Sequence, residues 1–178
     1  MILMKNDSGT MGLAAWKHLW CIVFLLVLFS VTANGQSINT DRDYYIQSQV
    51  SGLYLDVYQA NKDVGGRICQ AIKNPDQVWR LEPSERYPGY YYIQSQVSGL
   101  YLDVYQANKD VGGEICQAIK NPDQVWRLKP SERYPGYYYI QSQVSRLYLD
   151  VYQANKDVGG KICQAIKNPD QVWRLKQQ

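Results

Sequence analysis

The feature that most restricts how this chain can fold is repetition. The octapeptide NPDQVWRL begins at Asn74, Asn121 and Asn168, and Trp79, Trp126 and Trp173 recur at a constant spacing of 47 residues. Nearly every residue between them keeps the same period. One unit, YYIQSQVSGLYLDVYQANKDVGGRICQAIKNPDQVWRLEPSERYPGY, must therefore supply both fold and function. The repeats run over about 44–90, 91–137 and 138–178, and the third drops the SERYPGY linker, so the array is expected to stop at three. Substitutions are few: Gly52 and Gly99 become Arg146, Arg67 becomes Glu114 and Lys161, and Glu82 becomes Lys129 and Lys176.

Inside the unit the hydrophobic period is two. In LYLDVY, Leu53, Leu55 and Val57 share one face while Tyr54, Asp56 and Tyr58 share the other, the pattern of a half-buried strand. YYIQSQ, RICQAI and VWRL are β-compatible too. Ser51-Gly52, Val64-Gly65-Gly66, Asn74-Pro75-Asp76 and Tyr87-Pro88-Gly89 supply turns between them, with Gly65 and Gly66 expected at positive φ. No stretch carries an apolar 3.6 period, which disfavours helical solenoids. A propeller closes with at least about four blades. Three four-stranded units instead predict an all-β chain, a β-trefoil.

Leu19 to Val31 (LWCIVFLLVLFSV) is uncharged and shorter than the roughly 20 residues a membrane span requires. With Ala33 and Gly35 following, residues 1–35 read as a secretory signal peptide, the mature domain as 36–178 and the product as extracellular, without membrane insertion. The leader takes the only His, His18, along with Lys5, Lys17 and Asp7, leaving a net charge of about +2 from the +3 of the whole chain. Imidazole chemistry and His-based metal sites leave with it. The remaining charge is spread through every repeat, which gives no electrostatic footprint for nucleic acid. Cys69, Cys116 and Cys163 occupy one repeat position and cannot all pair, so they are inert strand thiols or a source of a free thiol or an intermolecular bond. No C-x-x-C pair or metal spacing is present, and no cofactor or metal is expected.

In order, SGLYLDV, GGRICQ and DQVW form a Gly-x-x-Leu-Asp-Val turn and strand, a Gly-rich turn with a buried strand, and a closing Gln-x-Trp. Taken three times over residues 44–178, this resembles the ricin-type lectins. The resemblance implies pseudo-threefold symmetry, with Ile46, Leu55, Ile68, Trp79 and their equivalents filling one shared core. It also implies that Asp56, Asp103 and Asp150 accept hydrogen bonds from two adjacent sugar hydroxyls, as a charged carboxylate suits a vicinal diol. Gln77, Gln124 and Gln171 would orient that carboxylate or contact sugar. Two departures stand out. Asp76, Asp123 and Asp170 occupy the place where sugar-binding members usually carry Asn, and Ala71, Ala118 and Ala165 align with their aromatic platform. Tyr58, Tyr105 and Tyr152 are the candidate substitute platforms, and Asn61, Asn108 and Asn155, in the adjoining ANKDVGG loops, are candidate ligand contacts.

Together these residues predict a secreted, multivalent, non-enzymatic carbohydrate-binding protein. Its expected partners are glycans on cell surfaces or glycoproteins, galactose-type first because those are the family's commonest ligands. The altered platform favours one alternative, a trefoil that binds a protein partner with degenerate sugar sites. Asp56 with Asp76 could be drawn as a glycosidase pair, but no deep cleft or pKa-raising apolar pocket is legible beside them. Arg146, close to Asp150, is expected to pair with that carboxylate, contact ligand or strain a turn that wants positive φ. Nothing in the repeat specifies the sugar or the oligomeric state.

Overall fold

A computed structural model describes residues 38–169 and 171–178. The expected signal peptide and mature start at Gln36 lie outside the described residues. Each repeat forms four strands where the alternating segments lie: β1 (Asp43–Ser48), β2 (Tyr54–Val57), β3 (Ile68–Ala71) and β4 (Trp79–Pro83) in the first. The second has β5 (Tyr91–Ser95), β6 (Tyr101–Val104), β7 (Ile115–Ala118) and β8 (Trp126–Pro130). The third has β9 (Tyr137–Ser142), β10 (Tyr148–Val151), β11 (Ile162–Ala165) and β12 (Trp173–Gln177).

The first and last strands of each repeat pair antiparallel in a closed ring, β1–β4–β5–β8–β9–β12 and back to β1. Closure removes the exposed edges that a three-repeat sheet would otherwise carry. The middle strands form three hairpins, β2–β3, β6–β7 and β10–β11. This is the β-trefoil. Ile46, Leu55, Ile68 and Trp79, with their equivalents in the other repeats, are all fully buried in one cluster, as the resemblance implied. Burying an indole requires a partner for its N–H. Trp79 donates to the Leu55 carbonyl at 3.1 Å, Trp126 to Leu102 at 2.9 Å and Trp173 to Leu149 at 3.0 Å. The closing tryptophan thus ties each barrel strand to the hairpin of its own repeat.

Adjacent repeats interlock through a residue that the alternation alone leaves unexplained. Gln70, Gln117 and Gln164 follow Ile68 and its equivalents on the inward face, and all three are completely buried. Gln117 Nε2 donates to the carbonyls of Asn61 at 2.8 Å and Asp63 at 3.0 Å in the preceding repeat. Gln164 reaches Asn108 and Asp110 in the same way, and Gln70 closes the circle on Asn155 and Asp157. Backbone bonds reinforce the contact: Gly65 N–H donates to the Gln117 carbonyl at 2.8 Å and Gln117 N–H to the Gly66 carbonyl at 3.0 Å.

Those bonds correct the expectation for the paired glycines. Gly65 sits at φ 84°, but Gly66 is absent from the positive-φ residues. Its requirement is steric: a Cβ there would lie 2.7 Å from Gln117 Nε2. Arg146, in contrast, occupies the left-handed region at φ 63°, where Gly52 (71°) and Gly99 (73°) stand in the other repeats. Its guanidinium donates to the Tyr90 hydroxyl at 2.9 Å and, among the described residues, forms no ion pair with Asp150, so the strained turn is realised and the carboxylate pairing is not.

Candidate functional site

On β2, Leu55 and Val57 turn inward, which directs Asp56 to the outer face directly opposite Cys69 of β3. Asp103 with Cys116 and Asp150 with Cys163 repeat this pairing. Burial raises the pKa of all three carboxyls above the ordinary value. Opposing the burial at Asp56 are first the Gln77 side chain and then the Val57 N–H, while the charge of Asp76 raises it further. At Asp103 the Val104 N–H, 2.8 Å from Oδ1, opposes more strongly than Gln124. At Asp150 Gln171 leads.

The glutamines of the closing motif are buried, and their orientation is set by the turn before them. Gln77 Oε1 accepts from Asn74 N–H at 3.0 Å, Gln124 Oε1 from Asn121 at 3.2 Å and Gln171 Oε1 from Asn168 at 3.2 Å. With the oxygen engaged, Nε2 faces the aspartate closely enough to favour its charged form. It nevertheless completes no hydrogen bond of normal geometry among the described residues. A buried donor beside a half-buried carboxylate is a poised pair for a hydroxyl, which both donates and accepts.

The surrounding candidates are placed as follows. Tyr58, Tyr105 and Tyr152 are 40–44% exposed and open a single 3₁₀ turn rather than extending the strand. Their rings are not equivalent. The Arg67 guanidinium lies 4.6 Å over Tyr58 and also donates to the Gly159 carbonyl, Lys161 lies 5.5 Å from the Tyr152 ring, and the corresponding residue beside Tyr105 is Glu114. Asn61, Asn108 and Asn155 build the loop: their Oδ1 atoms accept from the N–H of Asp63, Asp110 and Asp157 at 2.6, 2.5 and 2.5 Å. Ala71, Ala118 and Ala165 face Tyr54, Tyr101 and Tyr148 across the hairpins. Asp123 turns toward the preceding linker, accepting from the Tyr87 hydroxyl at 3.1 Å and pairing with Arg86 at 3.6 Å. Asp170 lies outside the described residues.

The cysteines are free and buried, and burial, then the charge of the facing aspartate, pushes each thiol up to about 12. That is the inert reading of the two the sequence left open. Among the described residues no group of three or more His, Cys, Asp or Glu side chains converges on a metal position, and no helix is long and apolar enough to cross a membrane. A recess of about 340 Å³ borders the first site on its Lys62 and Asp76 side. What sequence reasoning missed is the role of Gln70, Gln117 and Gln164, which hold the Asn61-type loops against the next repeat. Their signal was a polar residue at an inward strand position.

A family model described as ricin-type beta-trefoil lectin domain-like matches residues 28–118 and 122–178. Among solved structures the chain is similar to the designed threefold-symmetric protein ThreeFoil. The two are 30% identical over 75% of this chain and 96% of that one, with a TM-score of 0.68. It is also similar to 1,3Gal43A, an exo-beta-1,3-galactanase from Clostridium thermocellum (29% identity, TM-score 0.72), covering 81% of this chain and 32%, about a third, of the galactanase. A ricin B-like lectin from Macrolepiota procera, solved in complex with lactose, has the same fold at 15% identity and a TM-score of 0.69, over 80% of this chain and 100% of that one. No curated protein sequence matches the chain.

Proposed function

The chain belongs to the ricin-type beta-trefoil lectin domain-like family, and from that premise we propose that it is a secreted, extracellular carbohydrate-binding protein with three sites for galactose-type glycans. The observation that carries the reading is the recurring pair of a half-buried aspartate and an amide Nε2 with no completed bond, at Asp56–Gln77, Asp103–Gln124 and Asp150–Gln171. The carboxylate accepts from two neighbouring hydroxyls while the amide donates to one of them, and Tyr58, Tyr105 or Tyr152 offers a flat face to the sugar ring. The lactose bound by the Macrolepiota procera relative supports galactose as the first ligand to test. Three sites on one rigid scaffold raise effective concentration at a dense glycan surface, strengthening attachment by about two orders of magnitude over one site.

Titration of the protein with galactose and lactose, beside a glycan array, tests this. Binding that disappears when Asp56, Asp103 and Asp150 are all changed to Asn is the expected result. Retention of full binding by that variant overturns the site assignment, and no binding of any glycan overturns the reading. The Ala71-type platforms and the Arg67 cover over Tyr58 favour a second reading, recognition of a protein partner. Such an interface would ignore an excess of free galactose, whereas a lectin site is emptied by it.

A further inference from the structure

The three junctions between repeats share one construction and differ in one charge. At the first, β4 pairs with β5 so that Glu82 faces Tyr92. Tyr92 packs edge-on against Tyr101 at 5.9 Å, and Lys120 lies 4.5 Å over the Tyr92 ring. The Glu82 carboxylate closes the group, accepting from Lys120 Nζ at 2.6 Å and from the Tyr101 hydroxyl at 3.3 Å. At the second junction Lys129 replaces Glu82. It faces Tyr139 across the sheet and lies 5.9 Å from the Tyr148 ring, while Lys167 stands 4.6 Å over Tyr139. At the third, Lys176 faces Tyr45 and sits 3.3 Å from the Tyr54 hydroxyl, and Lys73 stands 4.3 Å over Tyr45. These tyrosine pairs keep the same edge-on geometry, at 5.8 and 6.0 Å. Two ammonium groups therefore converge on one phenol pair at each of these junctions, and among the described residues no carboxylate pairs with either.

We propose that the Lys129–Lys167–Tyr148 and Lys73–Lys176–Tyr54 notches are binding sites for the anionic group of an acidic glycan, a carboxylate or a sulfate, seated where Glu82 places its own carboxylate in the first junction. The Glu82 side chain acts as an internal ligand that closes the equivalent notch. An external anion receives charge-assisted bonds from both lysines and a hydrogen bond from the tyrosine hydroxyl, and it relieves the repulsion between the two ammonium groups. The notches adjoin the sugar sites. Tyr54 and Tyr148 precede Asp56 and Asp150 by two residues on the same strand face, about 7 Å along the chain, so one ring held at the aspartate can direct its own or a neighbouring anionic group into the notch. The proposal rests on the carbohydrate-binding reading for its ligand, but not for its anion chemistry.

Calorimetric titration of the full chain with three saccharides of matched length, an oligogalacturonate, a sulfated galacto-oligosaccharide and a neutral galacto-oligosaccharide, separates the sources. At least one acidic saccharide is expected to bind about tenfold or more tighter than the neutral one, the value of one charge-assisted bond, with two such sites per chain. Preference for only the carboxylate or only the sulfate identifies the group. Glu82→Lys should raise the count to three. Lys129→Glu with Lys176→Glu, which copies the first junction, should abolish the acidic preference and leave neutral binding unchanged. If that variant folds poorly, Lys129→Gln with Lys176→Gln serves the same comparison. Equal affinity for acidic and neutral saccharides, or a preference that survives these variants, overturns the proposal. Should no saccharide bind, the carbohydrate reading fails separately, and the notch is tested with inorganic sulfate. Shifts of the Lys73, Lys129, Lys167 and Lys176 side-chain NMR signals that the double variant loses support it, and their absence overturns it.

Discussion

A single residue type, the aspartate of LDV, links stability to pH and, on the proposed reading, links ligand binding to pH in the opposite direction. Burial raises the folded-state pKa of Asp56, Asp103 and Asp150 above 3.8. Between that value and the raised ones the folded chain holds more protons than the unfolded chain, so stability increases as pH falls through this window. If these carboxylates hold sugar as proposed, binding needs their charged form and is expected to be lost over the same interval. The Asp56→Asn, Asp103→Asn, Asp150→Asn variant is expected to flatten that part of the stability profile, measured by denaturant unfolding at successive pH values, and to bind no sugar at any of them. Arg146 is a second residue whose effect is local. A side chain in the left-handed region costs about 1–2 kcal/mol, partly offset by the greater unfolded-state entropy of glycine. Arg146→Gly is therefore expected to stabilise the protein by about 0.5–1 kcal/mol in urea unfolding, despite losing the exposed bond to Tyr90.

At the level of elements, the hairpin loops are held by the neighbouring repeat as well as by their own. Asn61, Asp63 and Gly65 depend on Gln117, a residue 52 to 56 positions away in the next repeat. Gln117→Ala removes two donors and leaves two carbonyls to find water, at roughly 2–4 kcal/mol for the pair. The expected readout is a lower urea midpoint together with faster hydrogen exchange in residues 61–66, the loop beside Tyr58. Strand positions were legible because each carries alternation and a turn signal. The 3₁₀ turn after Val57 was not, since it sets Gln59 and Ala60 at φ 55° and 51°. Neither residue type favours that conformation, so local propensity gives no sign of it. The packed strands on either side of the turn impose it, and with it the position of Tyr58.

For the whole molecule, ring closure makes the repeats interdependent. β1 lies against β12, and Gln178 N–H donates to the Asp43 carbonyl at 3.1 Å, so the two ends of the described domain are neighbours. A circular permutant opened in the Pro88-Gly89 turn, with residue 178 joined to residue 38 by a short linker, is expected to unfold in one cooperative transition by calorimetry. A chain cut to two repeats lacks two of the ring strands and exposes Trp and Ile surfaces that the third would cover. It should show no cooperative melt.

The sequence by itself determined the repeat length and the four strands per unit, because each is written in a local period repeated three times, and its resemblance to the ricin-type lectins implied the inward tryptophans and the aspartate–glutamine pair. Only the tertiary structure decided which repeat each loop leans on, and that Gly66 is required by the approach of Gln117 rather than by its own φ. It alone showed that, with Lys129 and Lys176 in place of Glu82, two lysines gather on one tyrosine pair where the first junction holds an ion pair. Those features join residues from different repeats. Their energy arises from contacts and charges that barrel closure brings together, and no period within one unit records it.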